Sequence, residues 1–160
     1  MNNDFIIPAI DIMDGKLVRL TQGDYNRRTA YDPDPLSMAR SFEDAGLTRI
    51  HLVDLDGARA GTVQQLSVLE KIARNTKLVI DFGGGIKTGS DVRDVLNAGA
   101  NIITVGSIAV KQPDLLQEWI TIFGADKFFV GADVQQEKIK INGWLQDGGM
   151  PIKMPMAPQP

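Results

Sequence analysis

The sequence predicts an α/β fold with a parallel sheet, on three observations. Apolar runs of strand length alternate with segments of helical periodicity along most of the chain. One unit recurs: Ala45-Gly46-Leu47-Thr48-Arg49-Ile50 is matched by Ala98-Gly99-Ala100-Asn101-Ile102-Ile103, a helix end followed by a strand start. Polar residues and glycines then gather at the carboxyl end of every run. Strand starts lie roughly 25–45 residues apart, the size of a βα unit.

The first strand is read over Phe5 to Ile12, an Ile-rich run without helical periodicity, halted by Asp14-Gly15. Such a strand is apolar on both faces and belongs in a parallel sheet covered by helices. Leu17 to Leu20 reads as a short β excursion, and Thr21 to Asp32 as a polar loop holding Gly23, Arg27 and Arg28. Those arginines are either contacts for an anionic ligand or solvated charge. Asp34-Pro35 is a helix start, an N-cap acid followed by Pro at the first helical position. That helix stops at Ala45-Gly46. A second strand is predicted over Arg49 to Asp56, and a helix over about Val63 to Arg74. The third strand, Lys77 to Phe82, opens into Gly83-Gly84-Gly85, with Ser90 as the cap of the next helix. The fourth, Asn101 to Val105, opens into Gly106-Ser107, and Pro113-Asp114 start a further helix. The fifth is read over Lys127 to Val134, followed by an alternating, hairpin-like Lys138 to Asn142.

A doubly wound open sheet and a (β/α) barrel both fit this rhythm. A switch-point site would mark two or three strands, whereas a barrel places polar groups at the carboxyl end of all of them, so the barrel is favoured. A complete (β/α)8 barrel takes about 250 residues, and this chain offers five strands in 160 residues. The expectation is a partial TIM barrel, about five of eight βα units, over residues 1–145. Four of the chain's eight prolines and three of its six methionines fall in the last thirteen residues. Residues 146–160 are accordingly expected to be a disordered tail unrelated to the barrel.

Composition narrows the function classes. The 17 Lys+Arg, 20 Asp+Glu and 43% hydrophobic residues suit one globular domain. A net charge of −3 argues against nucleic acid or an anionic membrane as the main partner. The absence of cysteine excludes disulfides and thiolate metal sites. No signal peptide is visible and no apolar run approaches the roughly 20 residues that span a bilayer, so the expected compartment is the cytoplasm.

Asp11 sits deep in an apolar run, where a carboxylate needs a partner or a task. Asp133 occupies the matching end of the fifth strand; in a closed barrel the two would face each other across the mouth and could divide acid and base work. The alternative is that each caps a βα loop. Gly83-Gly84-Gly85, between strand and helix, can cradle a phosphate on free N–H groups, and Gly106-Ser107 repeats the arrangement; glycine also simply makes tight turns. His51, the lone histidine, is a satisfied structural residue or a catalyst. With one His and no Cys, a zinc site is not expected. Trp144, in Asn142-Gly143-Trp144, offers an indole to a planar ligand or to the core.

Five segments together carry a resemblance. They are Pro8 to Ile12 with Asp14-Gly15-Lys16 and Val18-Arg19-Leu20; His51-Leu52-Val53-Asp54-Leu55-Asp56-Gly57-Ala58; Asp81 to Ile86; Val105-Gly106-Ser107; and Gly131-Ala132-Asp133 through Trp144. Over residues 4–145 the chain resembles the phosphoribosylformimino-aminoimidazole carboxamide ribotide isomerases of histidine biosynthesis. The resemblance implies a (β/α)8 barrel that carries out an Amadori rearrangement, aminoaldose to aminoketose, without metal or organic cofactor. It implies Asp11 as base and Asp133 as general acid. The substrate would be a ribonucleotide with a phosphate at each end, one held by Gly84, Gly85, Gly106 and Ser107. Arg19, Gly23, His51, Asp54, Lys87 and Trp144 join the binding residues by the same resemblance. Lys87 stands where many relatives have Arg, which replaces a bidentate contact by a point charge.

Full-length relatives are expected to be monomers. Here strands one and five would be open edges, able to self-associate. With strands six to eight missing, the chain is expected to bind substrate poorly and turn over little. The sister family, the cyclase subunit of imidazole glycerol phosphate synthase, usually has Cys where Ala9 stands and lacks Asn-Gly-Trp. A third reading is a non-catalytic half-barrel that binds a phosphosugar or a partner.

Overall fold

The computed structural model describes residues 6–21, 24–30, 34–131, 133–135, 138–141 and 146–151. Strand β1 (Ala9–Met13) turns at Asp14-Gly15 into β2 (Lys16–Thr21), which pairs with β3 (Asp24–Ala30). Both turn residues have positive φ, +53° and +71°, which is the Asp-Gly chemistry of a two-residue hairpin. The segment expected to be an irregular loop from Thr21 therefore carries a strand. Its polar residues hide the pattern, because backbone pairing to β2 needs no apolar alternation.

Helix α1 (Pro35–Asp44) begins as predicted, with Asp34 Oδ1 accepting the Leu36 N–H at 3.1 Å. It ends at Gly46 in the left-handed region, where Gly46 N–H reaches Glu43 O at 2.9 Å and Leu47 N–H reaches Phe42 O at 3.0 Å. Strand β4 (Arg49–Asp54) is followed by α2 (Leu55–Ala60), α3 (Leu66–Asn75) and β5 (Val79–Gly83). Then come α4 (Gly89–Asn97), β6 (Ile102–Val105), α5 (Ser107–Lys111), α6 (Pro113–Phe123) and β7 (Phe128–Val130). The end of α4 repeats the α1 device, Gly99 N–H to Leu96 O and Ala100 N–H to Val95 O, so the recurring Ala-Gly is a recurring helix stop.

Strands β1, β4, β5, β6 and β7 are parallel and adjacent in chain order, in the sheet β3-β2-β1-β4-β5-β6-β7. A doubly wound sheet would reverse direction at a switch point; nothing reverses here, and the arrangement is that of a partial (β/α)8 barrel. One face carries Ile10, Ile12, Ile50, Leu52, Ile80, Phe82 and Ile103, all at 0% exposure, packed against Leu69, Ile72, Val92, Val95 and Trp119 of the helices. Trp119 stacks on Phe128 with ring centroids 6.5 Å apart. Burying these side chains contributes about 1.5–3 kcal/mol each, which favours one register in the parallel strands that carry them.

The C-terminal part departs from expectation. The fifth parallel strand stops at Val130, and Asp133 opens β8 (Asp133–Gln135) in a separate antiparallel sheet with β9 (Lys138–Ile141) and β10 (Gln146–Pro151). Residues 146–151, expected to be disordered, thus form an edge strand. Pro151 is tolerated at its end because an edge leaves one side of the ladder unpaired.

At the carboxyl end of β4 the structure turns on Asp54, which is fully buried. Its Oδ1 accepts the Gly57 N–H at 2.7 Å, capping α2; its Oδ2 accepts Gln64 N–H at 2.7 Å and Gln65 N–H at 2.9 Å. This cap ends β4 two residues early and adds a helix where continued strand was expected. Gly84, at φ +110°, lies so close that an added Cβ would stand 2.2 Å from the Asp54 carbonyl oxygen. Burial pushes the Asp54 carboxyl pKa up, and the three N–H donors pull it part of the way back. Replacing Asp54 by Asn turns an amide NH2 toward backbone donors and strands at least one of them. The expected cost is on the order of 3 kcal/mol, read as a lower urea midpoint. An unchanged midpoint would mean that the loop holds its shape without the carboxylate.

Candidate active site

Register decides which polar side chains share a face. Ala9 lies beside His51 and His51 beside Asp81, while Asp11 lies beside Val53 and Gly83 beside Thr104. With a side-chain period of two, Asp11, His51, Asp81 and Thr104 all stand on the face turned away from the helices. Three of them form a chain: Thr104 Oγ1 donates to Asp81 Oδ1 at 2.7 Å, and His51 Nδ1 meets Asp81 Oδ2 at 2.9 Å. Asp81 and Thr104 were not among the expected site residues. The available signal was a carboxylate inside the apolar run from Lys77 to Phe82, the same signal that marked Asp11.

Asp11 is half-buried on this face, and among the described residues no hydrogen bond reaches its carboxylate. Burial raises its pKa, and the neighbouring His51 partly offsets the rise. Asp54, by contrast, falls in phase with Ile50 and Leu52 on the helix side; its oxygens are taken by backbone N–H groups, so it supports the site without facing it. Arg19 is also displaced. Val18 is opposite Asp11 in the β1–β2 pair, so Arg19 alternates to the other face and is exposed.

The glycine segment differs from a plain phosphate cradle. Cβ atoms on Gly84 and Gly85 would strike Asp54 and Thr62 backbone, at 2.2 and 2.7 Å, so both positions are glycine because of loop against loop. The N-terminus of α4 is capped by its own residues: Lys87 N–H and Thr88 N–H donate to Asp91 Oδ2 at 3.0 and 2.8 Å, and Asp91 N–H donates to Thr88 Oγ1 at 3.1 Å. This capping box makes Thr88, not Ser90, the cap, and the Asp91 carboxylate takes up the Lys87 and Thr88 N–H groups. What the structure does unite is Lys87 and Ser107, whose Nζ and Oγ are in contact across the β5–α4 and β6–α5 loops beside exposed Gly106. Burial lowers the Lys87 pKa, and the Lys111 ammonium adds to the shift. Lys111, near this pair, was not expected from sequence.

Gly23 and Trp144 lie outside the described residues, as does the Asp133 side chain. An open hollow of about 520 Å³ beside the site is lined by Asp14, Asp56, Arg59, Ala60, Gln64 and Gln65 and does not include Asp11. Among the described residues, no group of three or more His, Cys, Asp or Glu is arranged to hold a metal, and no helix is long and apolar enough to cross a membrane.

Curated relatives share this sequence closely. A protein of Flavobacterium psychrophilum is 54% identical over 142 residues, covering 89% of this chain and 59% of its own length. One of Azobacteroides pseudotrichonymphae is 51% identical over the same shares, and one of Parabacteroides distasonis 52% identical over 87% of this chain and 58% of its own. All three are named 1-(5-phosphoribosyl)-5-((5-phosphoribosylamino)methylideneamino)imidazole-4-carboxamide isomerase. The chain spans about three-fifths of the length of these relatives. A family model described as histidine biosynthesis protein matches residues 5–154, reaching past the boundary expected at residue 145. With nearly the whole chain matched and a parallel sheet whose strands follow one another in order, this protein belongs to the histidine biosynthesis protein family.

Proposed function

We propose that this chain carries the aminoaldose-to-aminoketose isomerase site of its relatives, acting on a bisphosphorylated imidazole-carboxamide ribonucleotide, with Asp11 as the base. The observation that carries the reading is the Asp11 carboxylate. It is half-buried, free of hydrogen bonds among the described residues, beside His51, and more basic than an ordinary carboxylate. A general base works best with its pKa moved toward the operating pH.

The chemistry is proton transfer alone. An acid protonates the ribose ring oxygen, the C1–O bond breaks, and the amine lone pair forms a C=N bond to C1. The base removes the C2 proton, the C2–H electrons form C1=C2, and the C=N electrons return to nitrogen. The enol so formed becomes the ketose when its hydroxyl proton leaves and a proton adds at C1. The family motif assigns the acid to Asp133, and the Gly131-Ala132-Asp133 segment supports that assignment. Lys87 with Ser107 and Gly106 is the best-supported phosphate contact, a cation and a hydroxyl drawn together from two adjacent loops.

A second reading is favoured by the β7 edge. Phe129 and Val130 are 44% and 61% exposed there, and Asp133 has left the parallel sheet. On that reading the chain binds a phosphosugar, or associates through its open edge, with little turnover.

Asp11→Asn separates the readings. The isomerase reading expects turnover to fall about 10²- to 10⁴-fold relative to the unmodified chain; equal rates in both would remove Asp11 as base. The same substitution should raise the melting temperature at neutral pH. A folded-state pKa above 3.8 means that the folded state holds more protons than the unfolded one between the two values, so the ionised carboxylate costs stability at pH 7. For the same reason the acid limb of kcat/KM should have its midpoint above 3.8, the ordinary value for this group; a midpoint at or below it would show that another group titrates. Lys87→Met should weaken binding of the bisphosphorylated ligand about tenfold, the loss of one charge-assisted contact, seen by calorimetry; unchanged affinity would move the phosphate elsewhere.

A further inference from the structure

His51 has an unusual placement for a structural histidine. Its side chain is 28% exposed, whereas its partner Asp81 is 9% exposed, so the carboxylate is the buried member of the pair. A carboxylate only accepts hydrogen bonds, so Nδ1 must carry the proton that points at Asp81 Oδ2, 2.9 Å away. The other carboxylate oxygen is occupied by Thr104 Oγ1 at 2.7 Å, which stops Asp81 from rotating away from the ring. The ring itself lies over Gly83: a Cβ there would be 3.6 Å from His51 Cε1. Gly83 stands at the carboxyl end of β5, two residues beyond Asp81, so the Cε1–Nε2 edge is turned toward the loop end of the sheet. Among the described residues Nε2 has no hydrogen-bond partner, and Asp11 is close enough for the two groups to interact electrostatically.

We propose that Asp81, clamped by Thr104, is a positioning residue that fixes His51 as the Nδ1–H tautomer and presents a bare Nε2 as hydrogen-bond acceptor for a hydroxyl of the aminosugar held next to Asp11. Two strands thereby set the chemistry of a third: β6 holds the acid of β5, and that acid sets the ring of β4. The proposal takes its ligand from the isomerase reading, but the clamp itself is a property of the chain.

His51 is the only histidine, so a spectrum of the chain contains one imidazole. The test is a long-range 1H–15N correlation spectrum of the full 160-residue chain, labelled with 15N, in alkaline solution. The expected result is a protonated, pyrrole-like Nδ1 and an unprotonated, pyridine-like Nε2, the minor form in unconstrained histidine. Asp81→Ala should return the ring to the Nε2–H majority, and Thr104→Val, which removes only the hydroxyl, should shift the ratio the same way by less. A predominantly Nε2–H ring in the unmodified chain overturns the proposal. So does an unmoved ratio in Thr104→Val, which keeps the test readable if Asp81→Ala does not fold. The readout needs no turnover, so an inactive chain would overturn the isomerase reading and leave this one standing.

Discussion

The loops around this site rest on one buried carboxylate. Asp54 is inaccessible to solvent, yet three backbone N–H groups from two different turns converge on its oxygens. A carboxylate without those donors would be among the costliest groups to bury. With them it ties the end of β4 to the start of α2 and to the segment before α3. The glycine segment after β5 then closes against the same point, Gly84 on the Asp54 backbone and Gly85 on that of Thr62. The positive-φ glycines and the buried acid are two halves of one constraint: the first allows the approach and the second fixes what is approached. Lys87 leaves the second of these loops, so its meeting with Ser107 depends on the same anchor.

The parallel sheet divides its polar groups by phase. On the helix side every strand is apolar apart from Asp54, and the helices cover it. On the other side Asp11, His51, Asp81 and Thr104 occupy neighbouring strands with none of the fully buried large aliphatics between them. Stability and chemistry are thus assigned to opposite faces of the same residues. That division also explains why Asp11 is basic: it is half-withdrawn from water but receives none of the backbone N–H donors that hold Asp54. Two aspartates at strand ends, with similar flanking sequence, are both raised by burial, but only the one in phase with the core collects backbone N–H donors that offset part of the rise.

That distinction marks the limit of what the sequence made legible. The βα rhythm was readable because its signals are local: Asp34-Pro35 caps a helix, and Ala-Gly ends two of them, whatever the rest of the chain does. The site was readable in part. Asp11 stood out as a carboxylate in an apolar run, and Lys87, Gly106 and Ser107 do lie together. Asp54 looked the same as Asp11, because a parallel strand is apolar on both faces and hydrophobicity cannot tell which phase the helices cover. Asp81 and Thr104 were missed for a related reason. Asp81 carried a signal within its own strand, a carboxylate in an apolar run, but its partnership with His51 and Thr104 lies in the register between β4, β5 and β6.

The second carboxylate poses a different kind of problem. Adjacent strands are spaced about 4.8 Å apart, so β7 is four strands and roughly 19 Å along the sheet from β1. Only curvature can bring two such positions to opposite sides of one ligand. The Asp11 cluster does not depend on it, since its members come from four consecutive parallel strands joined by direct pairing. An acid contributed from beyond β7 does. Among the described residues, the last backbone bond from that region to the parallel sheet is Gly131 N–H to Val105 O at 2.9 Å, and two residues later the chain is already paired in the antiparallel sheet. The proposed base and its neighbouring histidine are therefore placed by strand pairing, whereas the proposed acid depends on closure, and the two halves of the proposed mechanism rest on different physical supports.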